Sequence, residues 1–177
     1  MYIAKRPFLA SLLALTLVLP INIYIIGDAI GAALQFPFLR YQQTYLGNGV
    51  ITVFRDLDYV ASGIITGRSS LSILLRICGT LLLVAAIVYF AARRQESYDS
   101  FRTTLSLLVG GAGGAYLASC FAQYGPTLHG PAGLAIPVGV PLLFAVAVYI
   151  LKAEGMDDEP EYEEEDEDDW EETEEEE

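Results

Sequence analysis

The run FLASLLALTLVLPINIYII, Phe8 to Ile26, holds no charged residue, and its conformation sets the architecture of the whole chain. Hydrocarbon offers no water to backbone N–H and C=O groups, and about 20 apolar helical residues are needed to cross it. This run is close to that length and follows Lys5 and Arg6. Pro20 is expected to kink such a helix without ending it. The run is longer than the apolar core of a cleaved leader, about 7 to 15 residues, and Ala29-Ile30-Gly31 makes a poor cleavage site. It is therefore read as a retained first span.

Three further runs resemble it. The second extends from Leu71 to Ala92 and stops at Arg93-Arg94; the third runs from Thr103 to Ala122; the fourth runs from Leu134 to Leu151 and stops at Lys152. The expected fold is an all-α integral membrane protein. It is a four-helix transmembrane bundle with spans 8–26, 71–92, 103–122 and 134–151, an amphipathic outer segment 27–70, and a disordered acidic C-terminal tail 154–177. Residues 1–153 form the membrane domain on this reading.

Charge divides the chain along the same line. Of 23 acidic residues, 18 lie from Glu154 onward, where there is no Lys or Arg. The rest carries all ten basic residues against Asp28, Asp56, Asp58, Glu96 and Asp99, a formal +5. The overall −13 is thus a property of the tail alone. Placing the N-terminus inside puts Lys5, Arg6, Arg93, Arg94, Arg102 and Lys152 in the cytoplasm and leaves Arg40, Arg55 and Arg68 outside. The excess of basic residues predicts a cell-membrane protein with both termini cytoplasmic. Eight Arg against two Lys, with so acidic a tail, match a protein from a high-salt cytoplasm.

The outer segment is rich in aromatic residues. After the turn signal Gly47-Asn48-Gly49, apolar residues from Val50 to Ile64 recur at three- and four-residue steps, which predicts a helix lying along the outer face. VITVF reads alternatively as a strand, but no partner strand is evident. On the helical reading Arg55, Asp56 and Asp58 take the wet side. The competing reading is an outward-facing polar pocket in which Asp56 or Asp58 pairs with Arg68 or Arg76, with Asp28 contributing from the top of the first span. Asp28 and Arg76 lie nearest to lipid depth, where an ionisable group needs a partner.

Other motifs point to packing. Gly110, Gly114, Ala118 and Ala122 repeat every four residues and offer a face with no bulk, suited to a neighbouring helix or a second copy of the chain. The surrounding GGAGGAYLASCFA lacks the strand, lysine and acidic residue of a phosphate loop. Cys78 and Cys120 match no redox or zinc spacing and are expected to be small buried side chains. His129, the single histidine, has no ligand cluster beside it, so no metal and no cofactor are expected. Nothing forms a catalytic constellation, and no enzyme activity or nucleic-acid partner is expected.

The leading functional expectation is a non-catalytic scaffold or accessory subunit of a membrane complex. The alternative is a small oligomeric transporter or channel using the outer polar pocket. Expected partners are the lipid bilayer, other membrane subunits or a second copy through the small-residue face, and a basic cytoplasmic protein through the tail, where Tyr162 and Trp170 sit among the acids.

Overall fold

The computed structural model describes residues 3–27, 30–92, 98–130, 133–153 and 155–157. In chain order the elements are β1 (Ile3–Lys5), α1 (Arg6–Val18), β2 (Asn22–Ile26), β3 (Gly31–Gln35), β4 (Leu39–Thr44), β5 (Gly47–Thr52), α2 (Val53–Ala61), α3 (Gly67–Ala92), α4 (Tyr98–Tyr124), β6 (His129–Gly130), β7 (Gly133–Ile136), α5 (Val140–Lys152) and β8 (Gly155–Asp157). The described residues thus hold five helices and a six-stranded antiparallel sheet of order β5-β4-β3-β2-β7-β6. This overturns the all-α four-helix bundle. Two helices, α3 and α4, are long and apolar enough to cross a membrane.

The correction begins inside Phe8–Ile26. Its helix ends at Val18, and past Pro20 the chain becomes the central strand β2, paired on one side with β3 and on the other with β7. A sheet with neighbours on both edges satisfies the backbone as a helix does, and a proline followed by Ile21, Ile23, Ile25 and Ile26 favours the extended form. Hydropathy alone does not separate the two solutions. The fourth run behaves the same way in reverse, with strand β7 first and helix α5 after Pro137. Each 13-residue helix, α1 or α5, is about 20 Å long.

These two helix-and-strand segments lie antiparallel along each other. Their corners cross closely: the Gly139 N–H donates to Ile21 O at 2.8 Å. A Cβ on Gly139 would stand 2.7 Å from Pro20 O, so only glycine fits there. Phe8 of α1 meets Tyr149 of α5 edge-on at 5.7 Å. At the end opposite the large sheet, β1 and β8 pair in parallel, which brings the two ends of the described chain together.

The outer segment is also corrected. Instead of one amphipathic helix, it forms β3, β4, β5 and the short helix α2. VITVF does have a partner: β4 pairs with β5 in the register Tyr41↔Val50 and Leu39↔Thr52. The turn falls at Tyr45-Leu46, ahead of the expected Gly47-Asn48-Gly49, because Thr44↔Gly47 already closes the ladder and Gly47 takes the left-handed backbone needed there (φ 133°).

The core lies between α3 and α4, with α1 and α5 packed on it, and includes Leu9, Leu13, Leu83, Leu105, Val109, Leu143 and Ile150. Gly79 of α3 admits the Tyr116 ring, which a Cβ would meet at 3.1 Å. The small residues of α4 divide. Gly110 faces Ala147 of α5, Gly114 has open space beside it, and Ala118 and Ala122 are half-buried. Gly113, off the expected stripe, makes the tighter approach, to Leu143. Cys120 is buried as expected, whereas Cys78 is exposed on the outer face of α3.

That outer face is informative. Leu71, Leu74, Cys78, Leu81, Ala85 and Val88 follow three- and four-residue steps and are all exposed. The inward face of the same helix carries Arg76 and Thr80. Only 28% of the most apolar stretch of α3 is buried. The exposed stripe is apolar, while the buried face combines Arg76 and Thr80 with Leu83, Ala86 and Phe90.

Candidate functional site

Where the sheet meets the upper ends of α3 and α4, alternation along the strands aims one set of side chains at the helices. Asn22, Gln35 and Arg40 form one cross-strand row, since Asn22 pairs with Gln35 and Gln35 with Arg40. Tyr24, Ala33 and Gln42 form the next. The Asn22 amide donates to Gln35 Oε1 at 3.2 Å. Ala33 and Ala135, both small and buried, flank Tyr24 and let its ring approach Tyr124 of α4 at 6.4 Å.

Over this face lies α2, capped by the Thr52 hydroxyl, and it is arranged inside out. Its one fully buried residue is Asp56, while Phe54 and Leu57 are exposed. Asp56 accepts from Arg40 Nη2 at 2.8 Å through one oxygen and from Arg76 Nη2 through the other. One carboxylate therefore joins strand β4, helix α2 and helix α3. Asp56 is 0% and Arg76 2% exposed, while the Arg40 side chain keeps 23% of its surface exposed.

A cavity of about 530 Å³ opens beside the junction. Arg40, Arg76 and Asp56 supply its charges; Gln35, Gln42, Gln123, Ser69, Ser72, Thr66, Tyr24 and Tyr124 supply neutral polar groups; Ile26, Ile64, Ile65 and Ile73 supply an apolar wall. Several donors at this seam have no protein partner. Arg76 Nη1, Arg40 Nε and the Tyr24 hydroxyl are all buried and unbonded.

The floor is closed. One turn below Arg76, Thr80 donates to Pro37 O at 2.9 Å and lies 3.0 Å from the Tyr116 hydroxyl. One turn on the other side of Arg76, Ser72 and Ser119 bond each other's carbonyl reciprocally, at 2.9 and 2.8 Å, and lock α3 to α4. Beneath these polar ties lie the fully buried Leu83, Leu105 and Val109.

The structure brings together some of the residues singled out in the sequence. Asp56 and Arg76 meet; Asp56 is not on a wet face. Asp58 and Arg68 are exposed and do not line the cavity. Arg55 stacks along its own helix on Tyr59, donating to its hydroxyl at 2.7 Å. Asp28 and the tail from residue 158 onward lie outside the described residues. His129 is exposed at the sheet edge, and no cluster of potential metal ligands occurs among the described residues. Sequence reasoning missed Arg40 and Gln42. Their signal was the alternation in LRYQQT, Leu39 to Thr44, where Arg40 and Gln42 share a face.

The chain matches no protein-family model, and no curated protein matches it in sequence.

Proposed function

We propose that this protein is a non-catalytic accessory subunit of a cell-membrane complex. In this reading α3 and α4 cross the bilayer as a hairpin, with α1 and α5 packed against them, and the sheet end presents a binding cavity on the outer side. Both chain ends then face the cytoplasm, consistent with Arg6, Arg102 and Lys152 gathering at the end away from the sheet. The uncharged exposed stripe of α3 supports lipid contact.

The observation that carries the reading is the closed floor of the cavity. A conduit needs a path past the bonded Thr80, Tyr116 and Pro37 and the apolar packing beneath them. A cavity that ends there holds a ligand rather than passing it on. The exposed Tyr45, Leu46 and Phe54 on the outer surface suit contact with another subunit.

Extraction in mild detergent tests the partnership: a stoichiometric second protein is expected, and recovery of the chain alone as a monomer overturns it. Placement in the bilayer is tested at Cys78. In a Cys120→Ala background, a water-soluble maleimide is expected to leave Cys78 unmodified in membranes and to label it once SDS has unfolded the chain. Equal labelling in both removes α3 from the lipid.

A further inference from the structure

We propose that the cavity between the sheet and the ends of α3 and α4 binds a singly charged oxyanion, held by Arg76 and Arg40, with Asp56 as the residue that positions both guanidinium groups. This rests on reading the cavity as a binding site, not on the accessory-subunit partnership.

Among the described residues, Arg40, Arg76 and Asp56 are the groups of fixed charge that line the cavity, and together they carry one net positive charge. The antiparallel ends of α3 and α4 both border the cavity, through Ser69 and through Gln123. Their opposed helix dipoles offset each other, so the guanidinium charge dominates. A buried cation without a full counter-charge is costly, and one anionic ligand group removes that cost.

Hydrogen bonding makes the same demand independently. Asp56 has spent one oxygen on each arginine, leaving Arg76 Nη1 and Arg40 Nε as unused donors. The Tyr24 hydroxyl, on a residue 8% exposed, is a third. Guanidinium donors match the planar, two-oxygen geometry of a carboxylate or a phosphate diester. Three glutamines and the hydroxyls of Thr66, Ser69 and Ser72 add neutral donors and acceptors for the rest of the ligand, and the isoleucines an apolar side. At about 530 Å³ the cavity has the size of an ordinary small-molecule site. A phosphate diester at this position comes either from a free solute or from the headgroup of an anionic lipid at the membrane face.

The test uses the full chain, purified in detergent and in lipid nanodiscs, with thermal unfolding followed by circular dichroism. Sodium acetate and sodium dimethyl phosphate are compared with sodium chloride at equal ionic strength. Nanodiscs of phosphatidylglycerol are compared with nanodiscs of phosphatidylcholine. A stabilisation that grows with soluble oxyanion concentration assigns the site to a free solute; one confined to phosphatidylglycerol assigns it to a lipid headgroup. Arg76→Gln is expected to abolish the shift. Should that variant not fold, Tyr24→Phe decides. It removes a buried hydroxyl with no protein partner, so the ligand-free midpoint does not fall, while the apparent affinity drops about 2- to 10-fold, the worth of one hydrogen bond. No stabilisation by any oxyanion, a chloride effect of equal size, or a response unchanged in Tyr24→Phe overturns the proposal. None of these outcomes depends on whether a partner subunit is recovered.

Discussion

One helix, α3, buries Leu83, Ala86 and Phe90 towards one end and Arg76 and Thr80 towards the other. At the first end the neighbours are apolar and aromatic: Phe101 lies 6.3 Å from Phe90 and stacks on Tyr89 at 5.4 Å. At the second end the neighbours are Asp56, Arg40, Tyr116 and the carbonyl of Pro37. The helical end is held by packing, which is non-directional and tolerant of swaps that conserve volume. The sheet end is held by a few directed polar contacts, each of which fails badly if one partner is removed. The two halves of one bundle should therefore respond differently to mutation.

The largest effect is expected at the sheet end. Asp56→Ala leaves two guanidinium groups facing each other with no carboxylate between them, and breaking a buried ion pair in this way costs about 3–5 kcal/mol. Denaturant titration in detergent, followed by circular dichroism, checks it. A double change of Asp56→Ala with Arg76→Leu should recover part of the loss, because no buried cation is then stranded on α3. At the helical end Leu83→Ala, at a residue 0% exposed, should cost about 2–4 kcal/mol by leaving a cavity. Leu83→Met should cost much less. If Leu83→Ala exceeds Asp56→Ala in the same assay, the contrast between the two ends is wrong.

The sequence made the second and third apolar runs legible as helices, because both are long and bounded by charge, and α3 and α4 match those runs closely. It hid the first and fourth because α1–β2 and β7–α5 have the same hydropathy whether they continue as helix or turn into strand. Pro20, Pro137 and Gly139 marked the breaks, and the isoleucines after Pro20 marked the strand. The pairing of β2 with β7, 107 or more residues apart in the chain, is a long-range contact that no local pattern encodes. Within the site, the need for a partner pointed to Arg76, since a charge in an apolar run demands one. Arg40 was invisible while the outer segment was read as a helix, because its place on the cavity face depends on a strand period of two rather than on a helical period.

A smaller effect is expected within the sheet end, where α3 is tied to α4. Ser72→Ala removes one member of the reciprocal pair with Ser119, while the Ser119 hydroxyl keeps its bond to the residue 72 carbonyl. Interhelical hydrogen bonds of this kind contribute about 1 kcal/mol, and the same denaturant titration reads the loss. Ser72 also lines the cavity, so Ser72→Ala is predicted to alter ligand response and stability together, where Leu83→Ala alters stability alone.

The smallest effect is predicted two residues from the largest. Asp58 shares helix α2 with Asp56, but two helical steps turn a side chain through about 200°, so Asp58 faces solvent while Asp56 faces the arginines. Asp58→Asn keeps the shape of the residue, and its backbone carbonyl still receives the Ser62 hydroxyl at 2.7 Å. The expected change is below about 0.5 kcal/mol. The two aspartates share a sequence neighbourhood, a helix and a charge, and differ only in the direction they face. Comparable losses for Asp56→Asn and Asp58→Asn in one denaturant series would mean that α2 is rotated from the orientation described, and the cavity would lose its positioning carboxylate. A gap of several kcal/mol fixes the rotation of α2, and with it the place of Arg40 and Arg76 at the cavity wall.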